Sequence, residues 1–96
     1  MKLLPRIISA EVVIQGVVKL VFDGGYEGVV DLRPVIAREG IFAYLQSPEN
    51  FKKMQLEEYG HHISWADDDG NEIDFGAGSL RRDCERQAEI HKLMTV

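Results

Sequence analysis

"RIISAEVVIQGVVKLVFDGGYEGVVDL", residues 6–32, decides the fold. Three runs rich in β-branched residues are separated by two turn signals. "RIISAEVVI" (6–14) reads as a strand. Gln15-Gly16 then forms a tight turn, because glycine tolerates positive φ. In "VVKLVF" (17–22) Val18, Leu20 and Phe22 share one face by the two-residue period, and Val17, Lys19 and Val21 share the other. "DGG" (23–25) is the second turn signal. "YEGVVDL" (26–32) sets Val30 and Leu32 opposite Glu27, Val29 and Asp31. Strands joined by turns this short must run antiparallel, so the stretch predicts a meander.

Downstream the pattern changes. Pro34 suits the first turn of a short helix in "PVIAREG", which Gly40 would close. "SPENF" (47–51) is a stronger start signal: Ser47 can cap free amides, Pro48 has its φ pre-set, and Glu49 suits the positive end of the helix. "MQLEE" (54–58) reads as a strand, "YGH" as a turn and "HISW" (62–65) as another strand. "EIDF" (72–75) pairs with it as a hairpin. The tail, "SLRRDCERQAEIHKLMTV", predicts a helix over about 79–94, with Ser79 as N-cap. Leu80, Cys84 and Ala88 recur every four residues, and Ile90, Leu93 and Met94 extend that apolar side. The expected fold is α+β: an antiparallel sheet of meander plus C-terminal hairpin, short helices in the middle and a helix at the end.

The 96 residues contain no internal repeat, low-complexity tract or linker, so residues 1–96 read as a single domain. Hydrophobic residues make up 45% and charged residues 28%, which places the chain among globular rather than disordered sequences. The net charge of -5 argues against a broad basic surface for nucleic acid and favours a basic partner. The single cysteine, Cys84, excludes an internal disulfide and a cysteine-rich zinc site. The start, "MKLLPRIISAEVVIQG", has the look of a signal peptide, but Pro5, Arg6 and Glu11 break its apolar run. No stretch approaches the roughly 20 apolar residues of a membrane span. The expected location is the cytoplasm.

"SWADDDGNEIDFG" (64–76) raises a calcium loop as one reading. With Gly70 on the invariant glycine of the EF-hand pattern, Asp67 and Asp69 fall on the third and fifth positions. Trp65 then stands at the first position and Gly76 at the twelfth, where carboxylates are needed. A hairpin turn of Asp, Asn and Gly is the better reading. Asp74 lies within a strand, where partial burial and hydrogen bonding to backbone amides are expected. Asp67, Asp69 and Asp74 are the weak metal candidates. His61-His62, with Cys84 and His91, form a weaker set, since neighbours in a strand point to opposite faces.

Cys84 on the apolar side of the tail helix reads as a small hydrophobe rather than a nucleophile. No serine sits in a nucleophile elbow, and the glycines form no phosphate loop. The densest basic group is Arg81, Arg82, Arg86 and Lys92. Three of these, Arg81, Arg82 and Arg86, are the candidates for phosphate contact. Acids interleave with them, and Arg81 has ion-pair spacing to Glu85. Trp65, Phe42, Phe51 and Leu20 read as core. Tyr26, Tyr44 and Tyr59 are the candidates for a partner surface, since tyrosine is favoured at interfaces.

The chain resembles the small bacterial domain family DUF2442, whose function is undefined. The resemblance runs from about Pro5 to Leu80. It is carried by "PRI" (5–7), "LVFDGG" (20–25), "VVDLRP" (29–34), "FAYLQSPENF" (42–51), "ISW" (63–65) and "EIDFGAGSL" (72–80), in that order. Where many relatives have a proline and a compact Asn-Gly turn after the tryptophan, this chain has the longer, more acidic "ADDDGN". The resemblance implies a small α+β domain with no known catalytic residues and no cofactor. Some relatives look fused to a helix-turn-helix domain. Others are encoded beside another small protein, in an arrangement similar to toxin–antitoxin pairs.

The expectation is therefore a non-enzymatic protein-interaction module, as one member of a regulatory or toxin–antitoxin-like pair. Accessory DNA binding through the tail arginines and weak metal binding are the alternatives. Exposed sheet edges leave room for a homo-oligomer.

Overall fold

A computed structural model describes residues 4–94. Residues 1–3 of the leader-like start and residues 95–96 of the tail lie outside the described part. The meander forms as expected: β1 (Ile7–Ile14), β2 (Val17–Phe22) and β3 (Glu27–Asp31). Both pairings are antiparallel, with β2 in the middle. Val18, Leu20 and Phe22 are buried, which is the face the alternation assigned. Val17, on the opposite face, is buried as well.

Next comes α1 (Arg33–Ile36). Asp31 starts it: its Oδ1 accepts the Arg33 amide at 3.0 Å, and its two carboxylate oxygens hold the Arg33 guanidinium at 2.8 and 2.9 Å. That pairing holds the Asp31 carboxyl below its usual range, chiefly through the side-chain hydrogen bond from Arg33. Gly40 does not close this helix. It opens a 3-10 helix (Gly40–Gln46). Ser47 stands at the N-cap of α2 (Pro48–Phe51) but makes no side-chain capping bond. The chain is held there by the Asn50 amide group donating to the Tyr44 carbonyl at 2.9 Å.

A second antiparallel sheet follows, separate from the first: β4 (Gln55–Leu56), β5 (His62–Ala66) and β6 (Glu72–Gly76), with β5 central. The strand expected over 54–58 shrinks to two residues. The sheets meet where the Ile7 amide donates to the Gly60 carbonyl at 2.8 Å and Arg6 Nε donates to the Tyr59 carbonyl at 3.0 Å. Gly60 has φ +75, and a Cβ there would run into the Ile7 backbone, so the junction requires glycine.

The last helix, α3 (Ala77–Met94), grows directly out of β6. It starts two residues before the expected Ser79. The Ala77 amide donates to the His61 carbonyl at 2.8 Å, so β6 passes into the helix without a loop. Ser79 is already inside, its Oγ accepting from Arg82 at 3.3 Å.

One apolar cluster joins these parts. It takes Leu20, Phe22 and Val30 from the first sheet, Ile63, Trp65 and Ile73 from the second, Ile36, Leu45 and Phe51 from the middle, and Ala77, Leu80 and Cys84 from α3. Trp65 is its pivot. The ring stacks on Phe51 with centroids 5.3 Å apart and meets Phe75 edge-on at 5.9 Å. Its Nε1–H donates to the Phe51 carbonyl at 2.8 Å, so the indole is buried without an unmet donor. The α+β architecture is as the sequence predicts. Among the described residues, no helix is long and apolar enough to cross a membrane.

Candidate functional site

The acidic stretch is a hairpin turn in which Asp67 is the scaffold. Its Oδ1 accepts the amides of Asp69 at 3.0 Å and Asn71 at 2.8 Å. The Asp67 amide donates to the Asn71 carbonyl at 2.9 Å. Asp67 Oδ2 accepts from Asn71 Nδ2 at 3.4 Å, so both Asp67 oxygens are engaged in the turn, while Asp69 is exposed at the tip. Asp74 is not part of this group. It lies on the outer face of β6, exposed, and the backbone hydrogen bonds expected of it are not made. Alternation explains this: Ile73 and Phe75 face inward, so Asp74 must face out.

That outward turn gives Asp74 different neighbours. Ser64 pairs with Asp74 and Ala66 with Glu72 across the hairpin. His62 lies on the same outer face, and its Nε2 reaches Glu72 Oε1 at 3.3 Å. His62, Glu72 and Asp74 each place one donor atom within 4.8 Å of the others. His61 points elsewhere. Its Nδ1 lies 3.3 Å from Glu57 Oε1, and its amide donates to the same oxygen at 3.0 Å. Glu57 also accepts the Tyr59 amide at 2.6 Å, and these bonds lower its carboxyl below the usual range, the Tyr59 bond most. Cys84 and His91 join neither histidine in a donor cluster. Extending the two-residue alternation across the hairpin turn puts His62, Glu72 and Asp74 on one face, which is the signal that finds this group.

The tail arginines have distinct surroundings. The Arg81 guanidinium lies over the Tyr26 ring at 3.8 Å and near the Phe22 ring at 5.2 Å, and its Nε donates to Glu85 at 2.9 Å. Cation–π and ion-pair contacts therefore occupy this side chain. Arg82 and Arg86 are exposed. Tyr26 is half-buried under Arg81, and its hydroxyl is pushed to a higher pKa, first by burial. Tyr44 packs against the core. Of the tyrosines named as a partner surface, Tyr59 is the exposed one, its ring 6.0 Å from His61.

Where α3 lies on β3, contact is tight. A Cβ on Gly28 would fall 2.7 Å from Cys84 Cβ and 2.8 Å from Cys84 Sγ, so only glycine admits the helix. Cys84 is 2% exposed, and its thiol is pushed up to about 11, first by burial and then by Asp83. It is a packing residue, with little thiolate for nucleophilic chemistry at neutral pH.

Past Cys84 the apolar side expected to continue through Ala88 loses its cover. Ala88 is exposed, and Ile90, Leu93 and Met94 are 49%, 70% and 78% exposed. Ile90 and Met94 border a shallow groove of about 380 Å³ with Asp31, Pro34, Gln87 and His91. Val29, on the outer face of β3, is exposed nearby along a second groove lined by Gln87, Ala88 and His91. No protein-family model, curated protein or solved structure matches the chain.

Proposed function

We propose that this chain is a non-enzymatic protein-interaction module and the acidic member of a regulatory pair, and that it meets its partner through the second half of α3. The observation that carries this reading is the exposure of Ile90, Leu93 and Met94 beyond the last buried helix residue, Cys84. An isolated helical segment this short is marginal in water, and apolar side chains on it gain stability only when something covers them. The adjoining groove beside Pro34 and Asp31 gives a partner side chain a place to enter. The chain's net charge of -5 favours encounter with a basic protein. The resemblance to DUF2442, with its paired small proteins, supports a regulatory or toxin–antitoxin-like setting.

The test uses the wild-type chain and Leu93→Asp as baits in extracts of the source organism, at matched concentration. Leu93 touches none of the core, so the two baits should melt at the same temperature. The wild type should retain a basic protein in near-stoichiometric amount, and Leu93→Asp should retain at least about 10-fold less. Equal retention by both baits, or no specific protein on either, would reject the reading.

A further inference from the structure

We propose that the outer face of the β5–β6 hairpin is a divalent metal site, best matched to zinc, with His62, Glu72 and Asp74 as its protein ligands. The donor set is mixed: one imidazole and two carboxylates, a combination that suits zinc better than the all-oxygen shells of calcium. The three side chains come from two hydrogen-bonded strands, a stiffer platform than the acidic turn beside them.

Distances support this choice. Two donors on one tetrahedral zinc, each about 2.0–2.1 Å from the ion, lie about 3.3 Å apart. His62 Nε2 and Glu72 Oε1 are 3.3 Å apart. The whole set lies within 4.8 Å, and Asp74 is exposed, so a side-chain rotation brings its oxygen inward. Three protein ligands leave further coordination positions for water.

Charge gives a second reason. Glu72 and Asp74 are two residues apart on the same face of β6, and both are exposed. Their carboxylate oxygens come within 4.8 Å of each other, where like charges repel. A bound dication converts that repulsion into attraction. Ser64 and Ala66, small side chains on the same face, leave the approach open. The site shares no residue with the α3 surface, so either proposal stands or falls without the other.

The experiment is calorimetric titration of the full chain, purified without a histidine tag, with zinc chloride at pH 7.5, and with calcium chloride in parallel. One zinc per chain should bind, and calcium should bind at least about 10-fold more weakly. His62→Gln and Asp74→Asn should each weaken zinc at least about 10-fold, whereas His61→Gln and His91→Gln should leave it unchanged. These side chains lie outside the core, so circular dichroism of all variants should match wild type. Zinc at a hundredfold excess over its Kd should raise the wild-type Tm by more than about 5 °C, and chelation should reverse the rise. Absence of zinc binding, equal binding by His62→Gln, or calcium preferred over zinc would each overturn the assignment.

Discussion

Leu80 and Leu93 stand on the same helix, and their surroundings are opposite. Leu80 is enclosed by the core, together with Ala77 and Cys84, where α3 crosses β3. Leu93 projects into solvent in a stretch that continues past every buried residue of the helix. The sequence treats both halves alike, with apolar residues at helical spacing among mixed charges. What separates them is the sheet: β3 ends at Asp31, and the described chain provides no further layer for the last turns. Apolar periodicity therefore marks a side that wants cover, and does not say whether the same chain supplies it.

The sharpest way to break this comparison is to truncate each leucine. Leu80→Ala should cost about 3 kcal/mol, the usual loss for emptying a packed leucine site. Leu93→Ala should cost less than about 0.5 kcal/mol in the free protein. Denaturant unfolding of both variants measures the contrast, and equal losses would mean that the last turns are packed in solution.

The next test addresses the clamp itself. Gly28→Ala places a methyl group against Cys84 and should cost about 2 kcal/mol, by lifting α3 from β3. Ala88→Leu, on the exposed half, should cost almost nothing. Thermal melting of the two variants is a direct readout.

The smallest expected effect refines where the clamp ends. Arg81→Met keeps an apolar stem over Tyr26 but removes the cation–π contact and the Glu85 pair, for a loss of about 1 kcal/mol. Arg82→Met, one residue on and exposed, should be near neutral. Similar losses for both would mean that the contacts of Arg81 with Tyr26 and Glu85 add no stability of their own.

The fold was largely legible because its strands obey a simple rule. In β2 Val18, Leu20 and Phe22 alternate with the half-covered Lys19 and Val21, and Gly16 and Gly24 mark the turns. The helices were less legible at their ends. With Ser79 expected as the N-cap, the helix starts two residues early: β6 passes straight into α3, because the His61 carbonyl accepts the Ala77 amide from across the hairpin. Gly40 looked like a helix stop and instead starts the 3-10 helix, after a backbone reversal at Glu39 with φ 61.

The candidate sites were legible only in part. Asp67 and Asp69 drew attention as a run of acids, but a run in sequence is not a cluster of free ligands, and Asp67 is consumed by its own turn. His62, Glu72 and Asp74 converge through hairpin register, which local spacing does not display. The sequence places Tyr26 and Arg81 on different candidate surfaces. They meet because Gly28 lets the helix close on the strand.

The pairing of Trp65 with the Phe51 carbonyl has an optical consequence. Trp65 is the chain's single tryptophan, and Cys84 its single cysteine. One is buried in the second sheet and the other on the face of α3 that packs against β3 of the first. The folded protein should fluoresce at short wavelength from a dry indole, and the emission should redden only when the β5–β6 region opens. Thiol labelling of Cys84 reports a different event, the lifting of α3. The native chain thus carries two intrinsic clocks, one for each sheet, and their agreement or divergence tells whether the two sheets come apart together.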